Sequence, residues 1–144
     1  MSDQILKKTG YLILAHGALA QQMLNALQFI AGDQPNFKAA AIDHAVDVDM
    51  ARDIVTSTIN ELSDKHGVIV LTDLFGGAPS NIAMSVLDEK HIEIVAGVNL
   101  PMLIHAVTMD DALPLKEKAE RLREYGRNNI FVASEVLSGK KKPA

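Results

Sequence analysis

Cysteine is absent from this chain of 144 residues. Its absence removes disulfides, thiol nucleophiles and cysteine-based metal sites, is compatible with a reducing compartment, and leaves stability to packing. Aromatic residues are scarce, two Tyr and four Phe, and there is no basic excess, the formal charge being -4. Such a surface does not attract a phosphate backbone and has few rings for stacking bases, which disfavours nucleic acid as a partner. Long apolar runs are missing too: none approaches the roughly 20 residues that cross a bilayer. The N-terminal Met1-Ser2-Asp3-Gln4-Ile5-Leu6-Lys7-Lys8 lacks the basic-then-apolar order of a secretion signal. A cytoplasmic protein is expected. What is present, 48% hydrophobic and 22% charged residues, suits a single compact domain over residues 1–137, followed by a polar, basic tail over 138–144.

Strand and helix patterns alternate along most of the chain, the arrangement of an α/β, doubly wound and mainly parallel sheet with helices on both faces. Tyr11 to Ala15 is an unbroken apolar run, as in strands buried on both sides. Ala20, Met23, Leu24, Leu27 and Ile30 then recur at helical spacing until Gly32 and Asp33. A second strand is predicted over Phe37 to Ile42, and a second helix from about Val48 to Lys65. That helix has Asp47 as N-cap, Gly67 as stop, and Ala51, Ile54, Val55, Thr58, Ile59 and Leu62 along one stripe. Val68 to Thr72, rich in β-branched residues, reads as a central strand. A loop from Asp73 to Asn81 enters a helix ending near Leu87. Strand four is Ile92 to Ala96, and a short helix covers Met102 to Val107. Pro114 opens a last helix with Gly126 after it, and Ile130 to Val136 reads as a final strand. Periodicity leaves open whether that strand joins the parallel sheet or lies antiparallel at its edge.

In such a sheet, ligands bind beyond the carboxyl ends of the strands, where the winding reverses. With strand order 2-1-3-4 the reversal falls between strands one and three, so His16 and Asp73 face each other across the crevice. Either alone has a plain structural reading, a strand-end histidine bonded to a carbonyl or an aspartate forming a turn. Together they make a working pair: a carboxylate that accepts from one imidazole nitrogen leaves the other nitrogen's lone pair free as a nucleophile. Gly76-Gly77-Ala78-Pro79 lets the backbone approach a ligand and begins a helix, whose unpaired amides favour an anion. Gly17 offers amides beside His16, and the loop Gly97-Val98-Asn99-Leu100-Pro101 borders the same crevice. Nucleophile, orienting carboxylate and anion cradle fit a phosphohistidine better than a hydrolase, because no serine or cysteine occupies a strand-to-helix elbow. His44, among Asp43, Asp47 and Asp49, has the composition of a metal site, but acids also favour the start of a helix. His66, His91 and His105 read as structural. No metal or cofactor is expected.

Ala15-His16-Gly17, Leu71-Thr72-Asp73-Leu74-Phe75-Gly76-Gly77-Ala78-Pro79-Ser80-Asn81 and Ala96-Gly97-Val98-Asn99-Leu100-Pro101-Met102-Leu103 resemble, in register, the enzyme IIA domain of the mannose family of the bacterial sugar phosphotransferase system. The resemblance covers Tyr11 to Val136. It implies a cytoplasmic homodimer that accepts a phosphoryl group from HPr on His16, oriented by Asp73, and passes it to a IIB protein. It further implies that the last strand is an antiparallel edge strand swapped between subunits. Gly17, Gly76, Gly77 and Ser80 are the expected phosphate-binding residues. Many members of the family carry a serine where this chain has Ala78, while a hydroxyl appears here at Ser80. With no IIB domain in the chain, the expected acceptor is a separate protein, and the membrane is met only through a IIC/IID complex. The alternative is a regulatory IIA whose His16 phosphorylation state switches binding to a target protein. A third reading is a flavodoxin-like small-molecule binder using the same crevice.

Overall fold

The computed structural model describes residues 8–43, 47–63, 66–87 and 91–139. Its elements run β1 (Gly10–His16), α1 (Leu19–Ala31), β2 (Phe37–Ile42), α2 (Val48–Leu62), β3 (Val68–Thr72), α3 (Ala78–Ser85), β4 (Ile92–Ala96), α4 (Leu100–Thr108), α5 (Leu115–Asn128) and α6 (Ala133–Leu137). The four strands form one sheet in the order β2-β1-β3-β4, parallel throughout. The expected doubly wound fold is therefore present. Among the described residues, no helix is long and apolar enough to cross a membrane.

Alternation along β1 divides the core. Tyr11, Ile13 and Ala15 pack with α1, α4 and α5 on one face, while Leu12 and Leu14 pack with α2 and α3 on the other. Both β1 and β3 are buried on both sides, which is why they read as continuous apolar runs. Because α1 lies on one face and α2 on the other, the winding reverses between β1 and β3, and their carboxyl ends open one crevice.

Several element ends differ from the sequence reading. Asp47 caps α2, accepting from the Met50 amide at 2.8 Å, but the helix ends at Leu62 with Ser63 as C-cap. Gly67 serves the entry to β3 instead, at φ +80°, where a Cβ would lie 2.9 Å from the His91 carbonyl. Ile54 on α2 and Ile30 on α1 are exposed rather than part of the buried stripes. Helix α4 begins two residues early because Asn99 caps it, accepting from the Met102 amide at 3.0 Å. Helix α5 runs through Gly126 to Asn128. That glycine is there for close packing rather than termination, since a Cβ would come within 2.8 Å of Met102 Cε and 3.3 Å of Asn99 Oδ1.

The expected last strand, Ile130 to Val136, is corrected. Ala133–Leu137 is helical, and the amides of Glu135 and Val136 both bond to the Val132 carbonyl. A strand needs a neighbour to receive its amides, whereas Glu135 and Val136 satisfy theirs locally, with Val132 and Leu137 exposed. Among the described residues of the single chain, no swapped strand is seen. His44, Lys65 and the tail from Lys140 onward lie outside the described residues.

Candidate functional site: a histidine and an aspartate at the β1/β3 crevice

His16 ends β1 with its backbone still in register opposite Ile42 of β2, so the rigid centre of the sheet fixes its Cα. Asp73 follows β3 directly. His16 Nδ1 lies 2.7 Å from Asp73 Oδ2, and the same oxygen accepts from the His16 amide at 3.0 Å. The other oxygen, Oδ1, accepts from the Leu74 amide at 2.9 Å. Partial burial alone would raise the Asp73 carboxyl. The amide and ring of His16 and the amide of Leu74 outweigh it and hold the carboxyl below its ordinary value. An ionised carboxylate has no proton to give, so Nδ1 carries the hydrogen, and in the neutral ring Nε2 presents its lone pair. The His16 side chain is 45% exposed and that of Asp73 only 10%, as suits a reacting ring on a sheltered support.

The glycine loop forms the wall beside the ring. A Cβ on Gly77 would lie 2.9 Å from His16 Cε1 and 3.5 Å from Nε2, so only glycine lets the backbone sit so close. Gly77 is also the N-cap of α3, with no side-chain oxygen capping the helix and a proline in its first turn. His16 and Gly17 also line a cleft of about 490 Å³ with Ile42, Val48, Ala78 and Ile82. Gly17 has φ +56° and open space around its Cα.

The structure brings all the expected site residues to this place, but gives several of their polar groups local partners. The Gly17 amide bonds to the Ile42 carbonyl at 3.2 Å. The Gly76 amide donates to Ser80 Oγ at 2.9 Å, and the Ser80 hydroxyl donates to the Gly77 carbonyl at 3.1 Å. The third loop is structural. Gly97 and Val98 both donate to the Thr72 carbonyl at 2.9 Å, bracing the strand end that carries Asp73, and Asn99 Nδ2 donates to the Gly126 carbonyl at 3.0 Å. Sequence reasoning missed the backbone amides that hold Asp73, which no side-chain pattern reveals. It also missed the exposed Leu74 and Phe75 on the loop, whose signal is an apolar pair placed directly before two glycines.

His91 and His105 are engaged within the fold. The His91 carbonyl receives the Val68 amide at 3.0 Å. His105 stacks on Tyr125 at 4.1 Å between ring centroids, and burial together with the charge of Arg121 lowers its pKa.

The family model EIIA-man, described as the PTS system fructose IIA component, matches residues 10–123, a span that includes both His16 and Asp73. The chain belongs to the EIIA-man family. It is 26% identical over 127 residues to the PTS system fructose-specific EIIA component of Bacillus subtilis, an alignment covering 88% of this chain and 87% of that one. It is 30% identical over 117 residues to the mannose-specific EIIAB component of Escherichia coli, covering 80% of this chain but only 36% of that longer protein. Among solved structures, the PTS IIA protein associated with the fucose utilization operon of Streptococcus pneumoniae superposes with a TM-score of 0.79 at 27% identity, over 90% of this chain and 96% of that one. The mannose/sorbose-specific IIA subunit from Enterococcus faecalis gives 0.78 at 25% identity, over 87% and 94%. As an EIIA-man domain, the chain has a phosphotransfer role in a sugar phosphotransferase system.

Proposed function

We propose that this EIIA-man domain is a phosphocarrier: Nε2 of His16 accepts a phosphoryl group from the phosphohistidine of HPr and passes it to a IIB protein for sugar uptake. The observation that carries this reading is the 2.7 Å contact between His16 Nδ1 and Asp73 Oδ2, which directs the opposite nitrogen outward. In the step, the Nε2 lone pair forms the new N–P bond while the donor's P–N bond breaks and its electron pair returns to the donor ring. Nδ1 keeps its hydrogen on Asp73, so no proton need move. The carboxylate opposes the positive charge that the ring gains, and the start of α3 favours the incoming phosphate oxygens. Gly17 leaves open space beside the ring, and Gly77 brings its backbone against the ring.

The protein works in the cytoplasm as a homodimer, reaching the membrane only through the IIC/IID complex that IIB serves. The exposed Ile130, Val132 and Leu137 and the open outer edge of β4 are surfaces that a second copy would cover. Incubation with phosphoenolpyruvate, enzyme I and HPr should label the wild type with an acid-labile, base-stable phosphate. His16→Ala should take up none. Equal labelling of the variant would overturn the assignment.

A further inference from the structure

We infer that Ser80 is a positioning residue for transfer at His16, clasping the Gly76–Gly77 turn so that its backbone stands against the reacting edge of the imidazole. The inference rests on the reading of His16 as the phosphoryl acceptor. Ser80 lies in the first turn of α3 and is 1% exposed. A buried hydroxyl needs partners, and both of those recorded here lie in the loop ahead of its own helix: it accepts from the Gly76 amide and donates to the Gly77 carbonyl. The arrangement is related to the returning half of a capping box, in which a residue one turn into a helix reaches back to the amide that precedes it. Here the bond falls on Gly76, which holds the left-handed conformation at φ +90°. Without the hydroxyl, that glycine pair has the conformational freedom of any Gly-Gly turn.

Chemistry separates this role from direct phosphate binding. A serine hydroxyl has one hydrogen, and that of Ser80 is given to the Gly77 carbonyl. A phosphate oxygen accepts hydrogen bonds and would find no donor there. The Gly76 amide is likewise engaged. What the pair of bonds does is fix where Gly77 stands, and Gly77 is the backbone that approaches Cε1 and Nε2 of His16 closely enough to exclude a side chain. Phosphoryl transfer depends mainly on positioning, and a shift of about 1 Å in such a wall is enough to slow a reaction by one to two orders of magnitude.

The test compares wild type, Ser80→Ala and Ser80→Thr, which keeps the hydroxyl, in single-turnover uptake from varied concentrations of phosphorylated HPr. Asn99→Ala serves as a control that is destabilised away from the ring. Ser80→Ala should reach the same final labelling at His16, with a maximal rate about tenfold lower and an unchanged half-saturating HPr concentration. Ser80→Thr should recover most of the rate, and Asn99→Ala should lose none. Amide hydrogen exchange on the wild type adds a readout that needs no variant to fold: the Gly76 amide should be protected. Wild-type rates in folded Ser80→Ala, an effect on half-saturation alone, or an unprotected Gly76 amide would each overturn the inference while leaving the proposed function intact. A wild-type protein that takes up no label, or takes it up elsewhere than on His16, would overturn both.

Discussion

The carboxylate of Asp73 receives the His16 ring on one oxygen and the Leu74 amide on the other, so it is held by the backbone while it holds the ring. Replacing it with asparagine keeps the shape but offers an amide that can donate as well as accept, which no longer dictates that Nδ1 carries the hydrogen. Asp73→Asn should take up phosphate from phosphorylated HPr on the order of 10²-fold more slowly, measured as initial rate. The same carboxyl also has an acid signature. Its folded pKa lies below its unfolded value, so its contribution to stability is full above the unfolded value, near pH 4, and is lost as pH falls through the folded one. In urea unfolding, the advantage of wild type over Asp73→Asn should narrow as pH falls below about 4. Gly77 offers a complementary probe. Its φ of -83° suits any residue, so Gly77→Ala adds no backbone strain, yet its methyl would lie 2.9 Å from His16 Cε1. At least a tenfold loss of transfer rate is expected, with the circular dichroism spectrum of the wild type.

At the scale of elements, Asn99 joins two helices. Its Oδ1 caps α4 through the Met102 amide, and its Nδ2 reaches the carbonyl of Gly126 in α5. Asn99→Ala should lower stability in urea by about 1–2 kcal/mol, the cost of a lost cap together with one hydrogen bond. Phosphorylation at His16 should be unaffected. The pairing also explains why Gly126 misleads as a stop signal. A glycine near the expected end of an amphipathic pattern reads as a C-cap, but here it removes a side chain from a helix crossing. The final segment misleads in a related way: Ile130, Phe131 and Val132 have the composition of a strand, but strand formation depends on an edge to pair with. In the single chain, Ala133–Leu137 closes its own helical hydrogen bonds instead.

Over the whole molecule, the two ends of β1 have separate tasks. His16 stands at its carboxyl end, while at the other end Lys118 of α5, buried to 1% exposure, donates to Thr9 Oγ1 and to the Asp111 carbonyl. Thr9 in turn donates its amide to Asp111 Oδ1 at 3.0 Å. This knot ties the entry to β1 to the α4–α5 connection and to α5. His16 lies seven positions beyond Thr9 along the strand, about 23 Å at the usual rise. Lys118→Met preserves most of the volume but leaves the Thr9 hydroxyl and the Asp111 carbonyl without this donor. A loss of about 2–4 kcal/mol in urea unfolding is expected, with the rate of His16 phosphorylation in the folded variant unchanged.

The sequence by itself determined the four strands of the sheet and their order of winding, but not the helical end of the chain, which it wrote as a strand. Burial on both faces writes β1 and β3 as unbroken apolar runs, and local caps such as Asp47 lie beside the helices they begin. It also determined the candidate pair, because His16 and Asp73 each stand directly beyond a recognisable strand, and the reversal between those strands brings them together. Only the tertiary structure decided how the pair is held. The amides of His16 and Leu74 on the carboxylate, the inward turn of the Ser80 hydroxyl, and the approach of Gly77 to the ring all depend on where backbone atoms far apart in the chain, or differently turned within one loop, come to rest. The physical reason is one of range. Side-chain periodicity and capping are set by neighbours a few residues away, whereas a hydrogen bond across 57 positions, as between His16 and Asp73, exists only after the core has packed.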